Sequence, residues 1–189
     1  MVHLGANGRC DVKRNSQRGQ CGFTLIELLV SLVLAAIVLA VAVPSMGMVT
    51  ARYQMRSAAL QLHSALETAR TEAVIRGEPV ELCPRAPEPG KCGVDYRQGW
   101  IVRTIIDELP ELLRDSGPLP PGFSVSNRLS TYALTNPVFY RADGSTERNL
   151  TFQLCAQDAV GADAFAVVLT IAGRSRVARG EGFCPGERA

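Results

Sequence analysis

The sequence predicts an α+β protein in which one long N-terminal helix packs on an antiparallel β-sheet domain. Two observations indicate this fold class. An almost unbroken apolar run, Phe23–Met48, is followed by an apolar stripe at helical spacing. Beyond Gly77, short runs rich in β-branched and aromatic residues alternate with turn sequences. We therefore expect four segments: a leader at 1–22, an apolar helix at 23–48, an amphipathic helix at 49–77 and a β-rich globular domain at 78–189.

The leader is polar and basic, and it carries a net charge of +3. Its charged residues are Arg9, Asp11, Lys13, Arg14 and Arg18. Because the whole chain carries +2, the remainder is close to neutral at −1. Positive charge ahead of an apolar run keeps this end in the cytoplasm. A near-neutral body also excludes a nucleic-acid binder that is basic overall, so any such activity must come from a local patch.

The apolar run of about 26 residues is ~39 Å long as a helix, enough for a ~30 Å hydrocarbon core. Three interpretations compete. A secretory signal peptide has a shorter apolar region, although Ala40-Val41-Ala42 offers a small-residue cleavage site. A plain transmembrane anchor explains the length but gives Glu27 no purpose, and a carboxylate in a membrane helix is a functional hypothesis by default. A prepilin-type signal, cut between Gly22 and Phe23, leaves the apolar helix on the mature protein.

Gly22-Phe23-Thr24-Leu25-Ile26-Glu27 and the apolar helix after it resemble the N-terminus of type IV pilins and type II secretion pseudopilins. The resemblance implies the pilin fold, cleavage by prepilin peptidase after Gly22, and N-methylation of Phe23. It also implies that Glu27 pairs with the N-terminal amine of a neighbouring pilin during assembly. A carboxylate buried in lipid or in a filament core needs such a cationic partner. Cys21 departs from the family, which usually has Lys or Arg before the glycine.

On this resemblance, residues 23–48 form a transmembrane and filament-core helix. The subunit is then a single-pass inner-membrane protein with a periplasmic domain until it enters a pilus at the cell surface. Its partners are other major and minor pilins, the prepilin peptidase and the inner membrane. Pro44 stands where many pilins carry a helix-kinking proline.

The helix is expected to continue beyond the apolar run with one apolar face. The stripe consists of Met55, Ala59, Leu62, Leu66, Ala69 and Ala73. Gly77 is the expected C-cap, and Pro79 prevents continuation. We expect His63 on the solvated side, without a catalytic partner. The stripe is then the seat of a β-domain and not a cofactor site.

Seven strands are expected after Gly77, separated by turn sequences such as Ala142-Asp143-Gly144. They are Val80–Cys83, Gly99–Ile106, Gly122–Ser126, Val138–Tyr140, Thr151–Ala156, Ala164–Ile171 and Arg174–Ala178. Several short strands with turn chemistry favour one antiparallel sheet on the amphipathic helix.

Four cysteines follow the apolar run: Cys83, Cys92, Cys155 and Cys184. In an exported domain they suggest two disulfides, with three possible connectivities. Zinc is the rival interpretation, but the chain has no C-x-x-C and His63 is its only histidine after the leader. We predict the pairs Cys83–Cys92 and Cys155–Cys184, the second fixing the C-terminal segment against the sheet. No metal and no cofactor is predicted.

Internal landmarks resemble the GspH/FimT branch of pilin-like proteins. They are Ala69-Arg70-Thr71-Glu72-Ala73-Val74, Leu82-Cys83, Gly99-Trp100-Ile101-Val102 and Gly173-Arg174-Ser175-Arg176. In this branch, FimT-type minor pilins of transformable bacteria bind DNA through a C-terminal Gly-Arg-x-Arg element. The resemblance therefore implies non-specific binding of double-stranded DNA, for uptake in natural transformation, by Gly173, Arg174 and Arg176. We add Arg179 to this predicted DNA-binding site because it follows them closely in the sequence.

The residues themselves fit a local patch. Arg174 and Arg176 point to one face of an extended segment, and Arg179 follows after a short gap. Guanidinium groups bind phosphate oxygens bidentately, and we expect amides near Gly173 to add donors. Arg141 and Arg148, beside the Asp143-Gly144 turn, are possible extensions.

Two other function classes compete with DNA binding. A structural role, as a GspH-like pseudopilin or a FimU-like priming subunit, needs no DNA contact, and the arginines are then a solvated strand face. An enzyme is not expected, because no motif places a nucleophile beside a base and there is no phosphate loop.

Overall fold

The computed structural model describes residues 24–105, 110–128, 132–156, 164–179 and 184, and for residues 41–48 only the backbone. The leader 1–22 and Phe23 lie outside the described residues, and so do the cleavage and methylation sites predicted there. One helix, α1 (Leu25–Arg76), occupies 52 residues without a break at Pro44. The predicted continuous helix is therefore confirmed over its described length.

Both ends of α1 have sequence-encoded caps. At the start, the Glu27 amide donates to Thr24 Oγ1 (3.3 Å) and the Leu28 amide to the Thr24 carbonyl (3.1 Å). Thr24 is thus the N-cap and Glu27 the N3 residue of the T-x-x-E pattern of a capping box. At the other end, Gly77 has φ +67° and the Glu78 amide donates to the Ala73 carbonyl, which is a Schellman closure.

Large apolar side chains from Leu25 to Leu39 are exposed, between 48% and 76%. Among the described residues, no helix is both long and apolar enough to cross a membrane. The membrane span of residues 23–48 stays a prediction.

The chain divides into two compact units, 1–42 and 43–189. In the second unit the predicted stripe of α1 is the centre of the core, since all six of its residues are at most 1% exposed. Tyr96, Trp100, Tyr140 and Phe152 pack in the same cluster. Burial of this face, at roughly 25 cal/mol per Å² of apolar surface, is what holds the helix on the β-domain.

Eight strands and a short 3-10 helix (Tyr96–Gln98) follow α1. The strands are β1 Val80–Pro84, β2 Trp100–Thr104, β3 Leu112–Asp115, β4 Phe123–Ser126, β5 Val138–Tyr140, β6 Leu150–Ala156, β7 Phe165–Leu169 and β8 Ser175–Arg179. They form two antiparallel four-stranded sheets, β3-β2-β1-β5 and β4-β6-β7-β8, called here the first and second sheets.

All seven predicted strands are present, but two features differ from the prediction. There are two sheets instead of one, because β5 returns to pair with β1 whereas β6 pairs with β4. Strand β3 was not predicted. Its residues are exposed or half-buried and its two leucines are adjacent, so it lacks the alternation that marks a half-buried strand.

Both predicted disulfides are present. Cys83 is bonded to Cys92, nine positions further along the chain, and Cys155 is bonded to Cys184, 29 positions further along. Cys184 is buried beside Cys155 and Ala164, so the second bridge ties the segment after β8 to β6.

Candidate nucleic-acid interface

The turn between β7 and β8 is built on Gly173. Its amide donates to the Thr170 carbonyl (2.8 Å), and the Thr170 amide donates to the Arg174 carbonyl (3.0 Å). Gly173 has φ +75°, a region that side-chain-bearing residues rarely adopt. A Cβ here would stand 1.8 Å from the Gly144 carbonyl oxygen. Gly173 therefore allows two turns to pack closely, the β7–β8 turn and the turn that contains Gly144. Because its amide already donates to the Thr170 carbonyl, the predicted donation from Gly173 to a phosphate does not fit.

The second of these turns, residues 141–149, is locked to the first by hydrogen bonds. The Thr146 amide donates to the Ile171 carbonyl (2.9 Å), and the Ile171 amide donates to Asn149 Oδ1 (2.7 Å). Thr146 Oγ1 also reaches the Thr170 carbonyl (3.1 Å). These hydrogen bonds hold the two turns together, so they fix the backbone positions from which side chains of either turn project.

Ser175 fixes the side to which the arginines point. Its hydroxyl donates to Glu67 Oε1 (2.6 Å), and its amide reaches the same oxygen (3.4 Å). His63 Nδ1 lies 2.7 Å from the hydroxyl oxygen. Because the single hydroxyl proton is given to Glu67, His63 must be the donor in this contact, with its proton on Nδ1. Ser175 therefore faces α1.

These contacts correct the prediction for His63. It is half-buried between α1 and β8, not on the solvated side, and Glu67 is likewise half-buried. The signal was in the sequence, since residues four apart on a helix lie on one face. The arrangement is not a nucleophile activated by a base, because the serine proton points to the carboxylate and away from the imidazole.

Arg174 and Arg176 flank Ser175 and are both exposed. Side chains alternate along a strand, so Arg176 in β8 lies on the face of the second sheet opposite to Ser175, turned away from α1. This is the outer face. Arg174 directly precedes β8, and alternation predicts the same orientation for it. Arg179 is four residues after Ser175 in β8, so it lies on the same face as Ser175, opposite to the outer face. It lines a cleft with Val49, Arg52, Tyr53, Arg56 and Phe165.

Two further arginines belong to the turn at 141–149. Arg141 is held by Ser145 Oγ (3.3 Å) and the Thr146 carbonyl (3.2 Å), and Arg148 is exposed. Asp143 lies in the same turn, where the side chain and amide of Ser145 lower the pKa of its carboxyl. Since this acid stays ionised at neutral pH, it opposes a phosphate near the arginines.

Within the part of the chain that the structure describes, one group of potential metal ligands lies close together: Glu81, Cys83 and Cys92. The two sulfurs are bonded to each other, and the carboxylate is paired with Arg103. This group therefore has no thiolate to offer a metal.

Two family models match the chain. Residues 58–173 match the model for the type II transport protein GspH, and residues 17–43 match the prokaryotic N-terminal methylation motif. A search of curated proteins finds no match.

Two solved structures show the same fold. Two crystal structures of the type IV minor pilin FimU of Pseudomonas aeruginosa align with TM-score 0.51 at 17% identity. One alignment covers 69% of this chain and 96% of FimU, and the other covers 67% and 98%. The minor pseudopilin EpsH of the Vibrio cholerae type 2 secretion system aligns with TM-score 0.48 at 14% identity, covering 71% and 99%.

The GspH model spans well over half of the chain and includes residues 58–76 of α1, both sheets up to the β7–β8 turn, and the Cys83–Cys92 loop. Proteins of this kind are structural and not catalytic, and they associate with other pilins in pili or pseudopili. The chain therefore belongs to the GspH family of type II transport proteins and is a type IV pilin-like minor pilin or pseudopilin.

Proposed function

We propose that this minor pilin is of the FimT type and binds double-stranded DNA, without regard to sequence, for uptake in natural transformation. The observation that supports this most directly is the common exposure of Arg174 and Arg176 on a braced strand. A guanidinium presents five donors in a planar fork that matches phosphate oxygens. Nothing in the pair reads base edges, so the contact is to the DNA backbone.

Processing and assembly form the second part of the proposal. Prepilin peptidase cuts between Gly22 and Phe23, Phe23 is methylated, and residues 23–48 hold the subunit in the inner membrane before assembly. The match of residues 17–43 to the methylation motif supports this. Glu27 then pairs with the N-terminal amine of a neighbouring pilin. The exposure of Glu27 in the single subunit leaves it accessible to such a partner.

A structural role without DNA binding is the alternative. It is favoured by one observation: the match to the GspH model ends at Gly173, immediately before the two arginines. The family model therefore accounts for the fold and not for the basic pair.

Titration of a labelled DNA duplex separates the two functions. The full chain is used in detergent micelles, because the apolar side chains of α1 are exposed. With two phosphates neutralised, log K should fall against log salt with a slope of about −1.8, which is about 12-fold between 50 and 200 mM salt. Arg174→Gln/Arg176→Gln should abolish that salt-dependent binding.

The matched control is Arg76→Gln/Arg97→Gln, which removes the same charge from two exposed arginines elsewhere. Wild-type binding in the control would show that the loss is local. Equal loss in both double variants, or no binding by the wild type at low salt, would leave the structural role.

N-terminal sequencing of the exported protein tests processing: Phe23 is expected, whereas Val43 would mean cleavage by signal peptidase.

A further inference from the structure

A wide groove lies on the second sheet, beside the arginine pair. It is open to solvent and has a volume of about 710 Å³. It is formed at the end of the sheet where β4 ends, β6 begins, β7 ends and β8 begins. Neither the family match nor the proposed arginine pair assigns it a role.

The near wall carries an aromatic ring and a cation. Tyr132 is 62% exposed, and Arg128 is exposed beside it. The Tyr132 backbone is fastened to the end of β4, since its carbonyl accepts from the Asn127 amide (3.1 Å) and its amide donates to Asn127 Oδ1 (3.3 Å). The Tyr132 ring is therefore exposed to solvent on a backbone that is held in place. This limits the conformational entropy that the protein loses when a planar group stacks on the ring.

The floor is continuous with the arginine pair. Thr151 pairs with Val168, and Val168 pairs with Arg176, so the three lie in one row across the outer face. Thr170, which also lines the groove, is hydrogen-bonded to Arg174. Strand β4 stands three strand spacings from β8, so Arg128 begins ~14 Å from the pair.

Charge in the groove fits an anionic occupant. Among the described residues that line the groove, Arg128 is the one charged residue and none is acidic. Apart from the Tyr132 ring, the remaining lining consists of amide, hydroxyl and aliphatic side chains. An exposed aromatic ring with cations along one path is the arrangement by which proteins hold single-stranded nucleic acid, because every base has a face that can stack. A duplex does not use such a ring, since its bases are already stacked on each other.

We propose that this groove binds unpaired nucleotides of single-stranded DNA, with one base stacked on Tyr132 and a phosphate held by Arg128. The strand continues from there to Arg174 and Arg176. The inference rests on the proposed function, because it extends the same DNA contact. It adds a preference of the same surface for unpaired over paired DNA.

The test uses the full chain in micelles with a short oligonucleotide carrying 2-aminopurine, offered as a single strand and as a duplex. The single strand should bind more tightly, and stacking on Tyr132 should change the 2-aminopurine fluorescence. Tyr132→Ala should weaken single-strand binding by about 5-fold to 150-fold, the range for one base stacked on an aromatic side chain, and should leave duplex binding within about twofold. Tyr132→Phe should bind like the wild type.

Arg128→Gln should weaken single-strand binding and lower the slope of log K against log salt by about 0.7. The controls are Tyr53→Ala, which removes another exposed tyrosine, and Arg97→Gln, which removes another exposed arginine. Both should bind like the wild type. These variants change exposed side chains, so loss of folding is not expected to obscure the result.

The outcomes distinguish the two proposals. If Tyr132→Ala binds the single strand like the wild type while Arg174→Gln/Arg176→Gln still abolishes duplex binding, the groove inference is overturned and the proposed function stands. If the wild type binds neither form of DNA, both are overturned. If Tyr132→Ala abolishes association with another pilin subunit and leaves single-strand binding intact, the groove is a protein interface and the inference is again overturned.

Discussion

Replacing Gly173 with alanine tests the account of the β7–β8 turn. The added Cβ meets backbone atoms that have no freedom to withdraw: the Gly144 carbonyl oxygen at 1.8 Å and its carbonyl carbon at 2.9 Å. The backbone of Gly173 must also keep φ near +75° to close the hairpin. Alanine therefore introduces a steric clash and conformational strain at one position.

The two effects differ in size and can be separated. Left-handed backbone costs a residue with a Cβ roughly 1–2 kcal/mol. Overpacking typically costs about 1–3 kcal/mol more. The expected loss in free energy of unfolding is therefore about 2–5 kcal/mol, and a chain of this length loses roughly 2–4 °C in Tm for each kcal/mol. Gly173→Ala should melt roughly 4–20 °C below the wild type.

Thermal unfolding followed by circular dichroism measures this, and two other glycines serve as controls. Gly90 has φ +72° but open space around a Cβ, so Gly90→Ala shows the strain without the clash. Gly117 has neither feature, and Gly117→Ala should melt within about 2 °C of the wild type. A loss at Gly173 no larger than the loss at Gly90 would refute the clash between the two turns.

Three further predictions follow from contacts around the candidate interface. Cys155→Ser/Cys184→Ser opens a 29-residue loop and should lower the free energy of unfolding in urea by about 3.6 kcal/mol on the chain-entropy model; no loss would mean that the bridge does not hold the C-terminal segment. Ser175→Ala leaves a half-buried carboxylate without its hydroxyl donor and should cost about 1.5–3 kcal/mol, whereas a neutral result would show that the contact with α1 does not brace β8. Ser145→Ala should raise the pKa of Asp143 toward 3.8 in an NMR titration. Because the native pKa of Asp143 lies below 3.8, its ionised carboxyl stabilises the wild-type fold above pH 3.8, and this stabilisation is lost as pH falls through the native pKa. The variant should therefore lose less stability in acid, and an unchanged pKa of Asp143 would contradict the assignment.

The elements that periodicity encodes could be read from the sequence. The stripe that runs from Met55 to Ala73 repeats every three or four residues because each member must reach the core, and all of it is buried. Strand β5 was predicted with its observed ends, since Val138 and Tyr140 are buried with a half-buried residue between them. Gly77 was recognisable as a cap because few other residues tolerate its backbone conformation.

The features that the sequence hid depend on contacts between distant residues. Strand β3 exists because β2 offers it an edge, not because its own residues alternate. The requirement for Gly173 comes from Gly144, which is remote in sequence, and a glycine beside arginines is equally compatible with phosphate binding. The local sequence pattern therefore predicted which segments form strands. It did not predict which of their backbone atoms are already hydrogen-bonded or packed against another turn.

The orientation of the basic pair follows from those distant contacts. Three arginines stand within six residues, at 174, 176 and 179, and the sequence alone suggests that they act as one group. Because Ser175 is held by Glu67, alternation sends Arg174 and Arg176 outward and Arg179 toward the side of α1. Two phosphate contacts per subunit, on a body with almost no net charge, fall well short of the six to ten or so made by tightly binding DNA proteins. Under the proposed function, retention of DNA must therefore come from several subunits that bind one DNA molecule. Once one subunit has bound, the DNA is at a high effective concentration near the next site, and this compensates for the weak affinity of each site.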